Sequence, residues 1–232
     1  MSYTNSGIRR LILASGSPRR RQLLSLLGMP FVIKAVGVDE SPLYNEPPTE
    51  LVLRVSQVKA LSVEEVRADE LVLAADTIVV LDGQMLGKPN DPGDASRMLS
   101  LLRGRSHTVY SGVTVWHPAS RSMVCELAGS EVWMREYDDD EVAAYVTGGD
   151  PLDKAGAYAI QHPEFDPVSR VEGCWLNVMG LPLCHLGRAL ARFGVTVPAS
   201  VPGACQAFNQ RYCEVSSEIL RRNDRLGMRN EE

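Results

Sequence analysis

LILASGSPRRRQLL, residues 11–24, packs an apolar run, a Ser-Gly-Ser-Pro turn and the start of a helix into one short stretch. Residues 11–14 read as a buried strand, bounded by the turn. Ser17 suits an N-cap and Pro18 the first helical turn, where a missing N–H costs nothing, so a helix is expected over 19–27 with Gly28 as its stop. Strand, loop and helix in that order point to an α/β unit. Arg19 and Arg20 then fall in the first turn, where the macrodipole makes each exposed cation unfavourable by about 0.3–1 kcal/mol. Two explanations are open: the arginines are solvated, or the glycine- and serine-rich turn and its guanidiniums hold an anion. Arg21 reads as a solvated neighbour.

Working outward, residues 31–36 form a second expected strand, followed by an acidic turn at Asp39-Glu40. Pro47-Pro48 breaks the chain before Thr49, a candidate N-cap for a helix burying Leu51, Val55, Val58 and Leu61. Residues 71–81 are apolar apart from Asp76-Thr77, and Asp82-Gly83 is a hairpin signal, so two short strands are expected there. A helix follows over 95–103. Two long strands are read at 107–116 and 123–135, the first carrying Val109, Val113 and Val115 on one face. Asp138 and Glu141 form a capping-box pattern opening another helix, and a last core helix is expected over 184–193. The pattern predicts a mixed α/β (α+β) domain over residues 1–197. A tail follows at 198–232, in which Phe208, Tyr212, Val215 and Ile219 fall at helical spacing before a polar end.

The chain has 232 residues and a formal net charge of -5, so its arginine run is local and a nucleic-acid-coating surface is excluded. Its five cysteines are odd in number and contain no C-x-x-C pair, which favours reduced thiols over a disulfide framework or a zinc site. No apolar run approaches the ~20 residues of a membrane span, nor the core of a signal peptide. A cytoplasmic address without a membrane partner is expected.

Chemistry is to be sought at the polar interruptions. A carboxylate such as Asp76 in a buried strand must be paired, hydrogen-bonded or metal-bound; it either caps a turn or positions a water. Glu40, in a loop after a strand, either completes such a site or is solvated. Lys59, on an apolar helix, and Lys88, in a Gly-Lys-Pro turn, either snorkel to the surface or neutralise a phosphate chain. In DKAGAYAIQ (153–161) the small residues allow close backbone approach and the Gln161 amide can read a base edge. The phosphate loop G-x-x-x-x-G-K-[ST] is absent.

Taken in order, LASGSPRRRQLL (13–24), AADTIVVLDGQMLGKP (74–89), GRSHTVYSGV (104–113), PLDKAGAYAIQ (151–161) and NVMGLPL (177–183) resemble the motifs of the Maf family of nucleoside triphosphate pyrophosphatases. The resemblance runs from about residue 10 to about 195. It implies a fold related to the inosine triphosphate pyrophosphatases, with a mixed sheet and two lobes flanking a cleft, usually in a homodimer. It also implies hydrolysis at the α-phosphorus with a divalent cation, Mg2+ or Mn2+. By motif, Asp76 becomes the proton acceptor for the attacking water, and Arg19, Thr77 and Gln161 the positions selecting base or sugar. Arg20, Lys59 and Lys88 become phosphate contacts, and Glu40 with Asp76 the metal ligands. DKAGAYAIQ resembles the branch acting on dTTP and UTP, rather than the one acting on 7-methyl-GTP. HPEFDPVSRVEG (162–173) departs from the glycine-containing stretch usual after the glutamine. Some family members are associated with arrest of septum formation, so a regulatory role is the alternative expectation.

Overall fold

The computed structural model describes residues 7–221. The strand, turn and helix of the opening stretch are β1 (Arg10–Leu13) and α1 (Pro18–Ser25), with the Ser17 hydroxyl accepting the Arg20 N–H as N-cap. β2 (Phe31–Ile33) runs parallel to β1 and is shorter than expected. On its other side β1 runs parallel to β3 (Glu70–Leu81). The hairpin expected at Asp82-Gly83 is present: it joins β3, which is longer than expected, to antiparallel β4 (Gln84–Leu86). Antiparallel β5 (Ser106–His117) and β6 (Ser122–Met134) match the two long strands read from the sequence. β7 (Val168–Gly173), inside the unusual 162–173 segment, completes the sheet order β2-β1-β3-β5-β6-β7, with β4 also on β3. The architecture is mixed α/β.

One detail of this topology makes room for a site. β5 pairs with β3 from Val72 to Val80, so β1 and β4 share the opposite edge of β3. β1 covers that edge at Glu70–Leu73 and β4 at Val79–Leu81. Residues 74–78 between them have no strand partner on that edge, and Asp76 and Thr77 lie in the opening. Because side chains alternate along a strand, the two neighbours point to opposite faces of the sheet.

α2 (Pro48–Leu61) covers the Asp76 face, and here the expectation needs correcting. Pro47, not Thr49, holds the N-cap position, and no side chain caps the helix. Leu51 and Val55 are buried, but Val58 and Leu61 are 37% and 52% exposed. The inward face consists of Leu51, Val52, Val55, Ser56, Lys59 and Ala60. An apolar-only criterion selects the wrong stripe because the true one contains a serine and a lysine. Both have partners: Ser56 meets Thr114 at 2.8 Å, and Lys59 meets Asp76. Gly112 allows the close approach, since a Cβ there would lie 2.3 Å from the Val52 carbonyl oxygen.

The opposite face carries the larger core, in which Leu71, Leu73, Ala75 and Val79 of β3 and Val109, Val113 and Val115 of β5 join Leu23 and Leu24 of α1. α3 (Pro92–Leu102) starts at the Asp91 cap, and α4 (Asp139–Thr147) carries the predicted reciprocal capping box of Asp138 and Glu141. Two 3-10 turns, Asp150–Asp153 and Ala155–Ala157, lead back to the sheet. α5 (Trp175–Val178) and α6 (Leu183–Arg192) follow.

The tail forms α7 (Val201–Asn209) and α8 (Ser216–Arg221) rather than one helical face. Gln210 adopts a left-handed conformation that ends α7, and Tyr212 is exposed. Val201 and Cys205 join the main core, and Arg188 of α6 donates to the Ile219 carbonyl. The predicted polar end beyond residue 221 lies outside the described residues. Among the described residues no helix is long and apolar enough to cross a membrane.

Candidate active site

Lys59 is 6% exposed and holds two carboxylates at once: its Nζ lies 2.8 Å from Asp76 Oδ1 and 2.6 Å from Glu40 Oε1. The helix supplies the lysine, the open edge of β3 the aspartate, and the loop after β2 the glutamate. That loop is tied to α2 by Arg54, whose Nη2 donates to the Ser41 carbonyl and whose Nε meets Glu46 at 2.6 Å. Burial pushes the Glu40 carboxyl upward, but the Lys59 hydrogen bond and charge, then the charges of Lys88 and Arg20, hold it below its ordinary value overall. Lys88 itself is exposed, so it stands at the rim.

Through the same opening the other face contributes Arg20. Its Nε donates to the Gly180 carbonyl at 3.0 Å, Nη1 to the Ser15 hydroxyl at 3.3 Å and Nη2 to Thr77 Oγ1 at 3.2 Å. Thr77 and Ser111 are directly paired across β3 and β5, with their hydroxyls 2.8 Å apart. Ser111 donates to the Asn177 carbonyl, so its oxygen accepts the Thr77 proton. Burial pulls the Arg20 guanidinium below its ordinary value; Asp76 and Glu40 oppose that pull, and Arg19 adds to it. The two faces of the sheet are therefore electrically one site.

Arg19 points elsewhere. Its Nη1 lies 3.3 Å from Asp153 Oδ1, at the start of DKAGAYAIQ. Lys154, 6% exposed, fastens that segment through Asp153 at 2.7 Å and Asp150 at 2.9 Å. Tyr145 donates to Asp150 at 2.7 Å and accepts the Ala159 N–H at 3.0 Å, while its ring stacks on Phe165. Gly156 sits at φ +69, and a Cβ there would press within 2.9 Å of Val79. The segment thus lies directly on β3. Gln161, its last residue, is exposed and makes no hydrogen bond among the described residues. Arg21 is exposed as expected.

The structure therefore gathers Arg20, Glu40, Lys59, Asp76 and Thr77 and sets Lys88 at the rim. Arg19 and Gln161 are associated with the 153–161 segment instead. Sequence reasoning singled out the Ser-Gly-Ser turn and the 153–161 and 177–183 segments but gave no individual role to Ser15, Ser111, Asn177 or the buried Lys154. A signal existed for Ser111, which shares the Val109–Val113 alternation, but nothing local marks Lys154 as buried. Glu40 and Asp76 offer the hard oxygen donors a divalent cation takes, and such an ion commonly uses one or two carboxylates plus substrate phosphates. They fit that role. Among the described residues no set of three or more histidine, cysteine or acidic side chains gathers into a metal site independent of substrate.

A mixed sheet with an open central edge, lined by three cations and two carboxylates, defines a protein built to receive a small polyanion. The chain belongs to the Maf family, whose "Maf-like protein" pattern it matches over residues 10–193. It is 44% identical to a dTTP/UTP pyrophosphatase of Pelotomaculum thermopropionicum, across 82% of this chain and 100% of that one. The Moorella thermoacetica protein of the same name is 46% identical, across 81% of this chain and 97% of its own. That of Thermomicrobium roseum is 40% identical and covers 91% of this chain and 99% of its own, reaching into the tail. The Staphylococcus aureus Ham1 protein aligns structurally over 87% of this chain and 98% of its own at 14% identity, with a TM-score of 0.40.

Proposed function

We propose that the protein is a nucleoside triphosphate pyrophosphatase that clears dTTP, UTP and related pyrimidine nucleotides to the monophosphate and pyrophosphate. The observation that carries this reading is the junction of Lys59 with Asp76 and Glu40 at the open β3 edge, facing Arg20. Relatives at 40–46% identity bearing the name dTTP/UTP pyrophosphatase support the substrate class.

In this reading Arg20, Lys59 and Lys88 neutralise the triphosphate, and Asp76 accepts a proton from the water that attacks the α-phosphorus. Glu40 and Asp76 would hold Mg2+ or Mn2+ together with substrate oxygens, and the ion would supply further neutralisation of phosphate charge. Thr77 is held by Arg20 and Ser111 with its hydroxyl at the mouth of the opening, and Arg19 and Gln161 flank the base or sugar from the 153–161 side. Assembly as a homodimer in the cytoplasm belongs to the same reading. A panel of dTTP, UTP, CTP and 7-methyl-GTP with Mg2+ or Mn2+, analysed for products, tests it. Monophosphate and pyrophosphate from dTTP and UTP are expected; orthophosphate and diphosphate would overturn it.

A further inference from the structure

Before any substrate arrives the two carboxylates of the site already share one cation. Arg20 acts electrostatically on both Asp76 and Glu40, and Lys88 on Glu40, while Lys59 touches both carboxylates. The cation between the two carboxylates is itself nearly buried. A free divalent ion approaching this centre meets the Lys59 ammonium and finds Asp76 Oδ1 and Glu40 Oε1 already engaged. A triphosphate instead meets the attraction of Lys59, Arg20 and Lys88.

We infer that Lys59 is an internal counter-cation, occupying in the free protein the position between Glu40 and Asp76 that a divalent ion takes in the loaded one. The inference rests on the triphosphate reading above and adds an order to it: the ion does not enter alone and binds only together with the nucleotide. The lysine has the means to yield, since its ammonium is a compact charge on a flexible four-carbon stem. When phosphate oxygens arrive they offer that ammonium a new partner, and both carboxylates become free to coordinate. Lys59 thus protects the site from occupancy by free metal and then turns to substrate. It is a positioning residue for the metal as well as a phosphate contact.

The test is Mn2+ binding to the full-length protein, read by the electron paramagnetic resonance signal of free Mn2+, with and without a non-hydrolysable α,β-imido analogue of dTTP, the Mn2+ chelated by the analogue alone being measured without protein and subtracted. The wild type should bind Mn2+ at least roughly tenfold more tightly with the analogue than without it. Lys59→Met, checked for folding by circular dichroism, should bind Mn2+ alone at least roughly tenfold more tightly than wild type, because two carboxylates are left facing each other. Lys59→Arg should keep the weak wild-type binding, and Asp76→Asn added to Lys59→Met should abolish the gain. Equal Mn2+ affinity of wild type with and without analogue would overturn the inference, and that comparison needs no variant. A folded Lys59→Met without the gain would overturn it too. Failure of the parent reading is distinguishable: calorimetry would then show no analogue binding at all, whereas failure of the inference alone leaves analogue-supported Mn2+ binding intact.

Discussion

Asp76 lies directly opposite Gly112 in the register of β3 and β5, and at Gly112 a Cβ would collide with the backbone of α2. The missing side chain on one strand sets the helix that brings Lys59 to the carboxylate on the next. Gly112→Ala should cost about 1–3 kcal/mol of stability through overpacking, because the obstruction is backbone and cannot rotate away. It should also lower turnover by moving Lys59 from Asp76. Urea unfolding and pyrophosphate release on the same preparation check both effects; a variant as stable and active as wild type would contradict the packing argument.

Arg20 serves three acceptors, one on β3 and one in each of two loops, a task for a planar fork with several N–H groups. Arg20→Lys preserves the charge but cannot reach Gly180, Ser15 and Thr77 together. The expected result is a fall in kcat/KM for dTTP of roughly 10- to 100-fold, about 1.4–2.7 kcal/mol, with little change in the unfolding midpoint. Steady-state kinetics beside thermal unfolding separates this from a general loss of structure.

Arg19 should contribute to discrimination rather than to stability. Its pairing with Asp153 is long and Asp153 is 60% exposed, so Arg19→Gln, which leaves the Asp153–Lys154 pair in place, should cost under about 1 kcal/mol. Losing the guanidinium should instead alter the ratio of kcat/KM for dTTP to that for CTP. Competition between the two substrates in one reaction measures that ratio, and an unchanged ratio would remove Arg19 from the selectivity set.

His107 provides an acid-side test of the core. Burial lowers its pKa from 6.5 to about 4, and its Nε2 meets the Tyr158 hydroxyl at 2.7 Å. The unfolded chain therefore takes up this proton first, so stability is full above pH 6.5 and declines as pH falls towards 4. The contribution lost is of the order of 3 kcal/mol, at about 1.36 kcal/mol per pH unit. His107→Gln should flatten this part of the stability curve, as followed by urea unfolding at pH 7, 6, 5 and 4.

The strand–turn–helix opening, the two long strands and the Asp138–Glu141 capping box were legible because each depends on residues adjacent in sequence. The buried face of α2 was not. Lys59 points inward because Asp76, on a different element, offers it a charge, and a hydrophobic pattern cannot express that. Likewise β7 was hidden in a segment of prolines and charges, since an edge strand exposed along most of its length needs no apolar alternation. The tail failed as one helix because Gln210 turns left-handed between two apolar positions that share a helical spacing. Asp76, Glu40, Lys59 and Arg20 could be named as candidates individually. Their convergence depends on β1 and β4 leaving the centre of the β3 edge open, a property of strand order.

Position of attack tests the account most directly. Hydrolysis of dTTP in water enriched in oxygen-18, followed by mass spectrometry of both products, should place the label in the phosphate of dTMP and leave the pyrophosphate unlabelled. With Asp76→Asn the same labelled product should form at least roughly 100-fold more slowly. Label in the pyrophosphate would place the attack on the β-phosphorus and contradict the account.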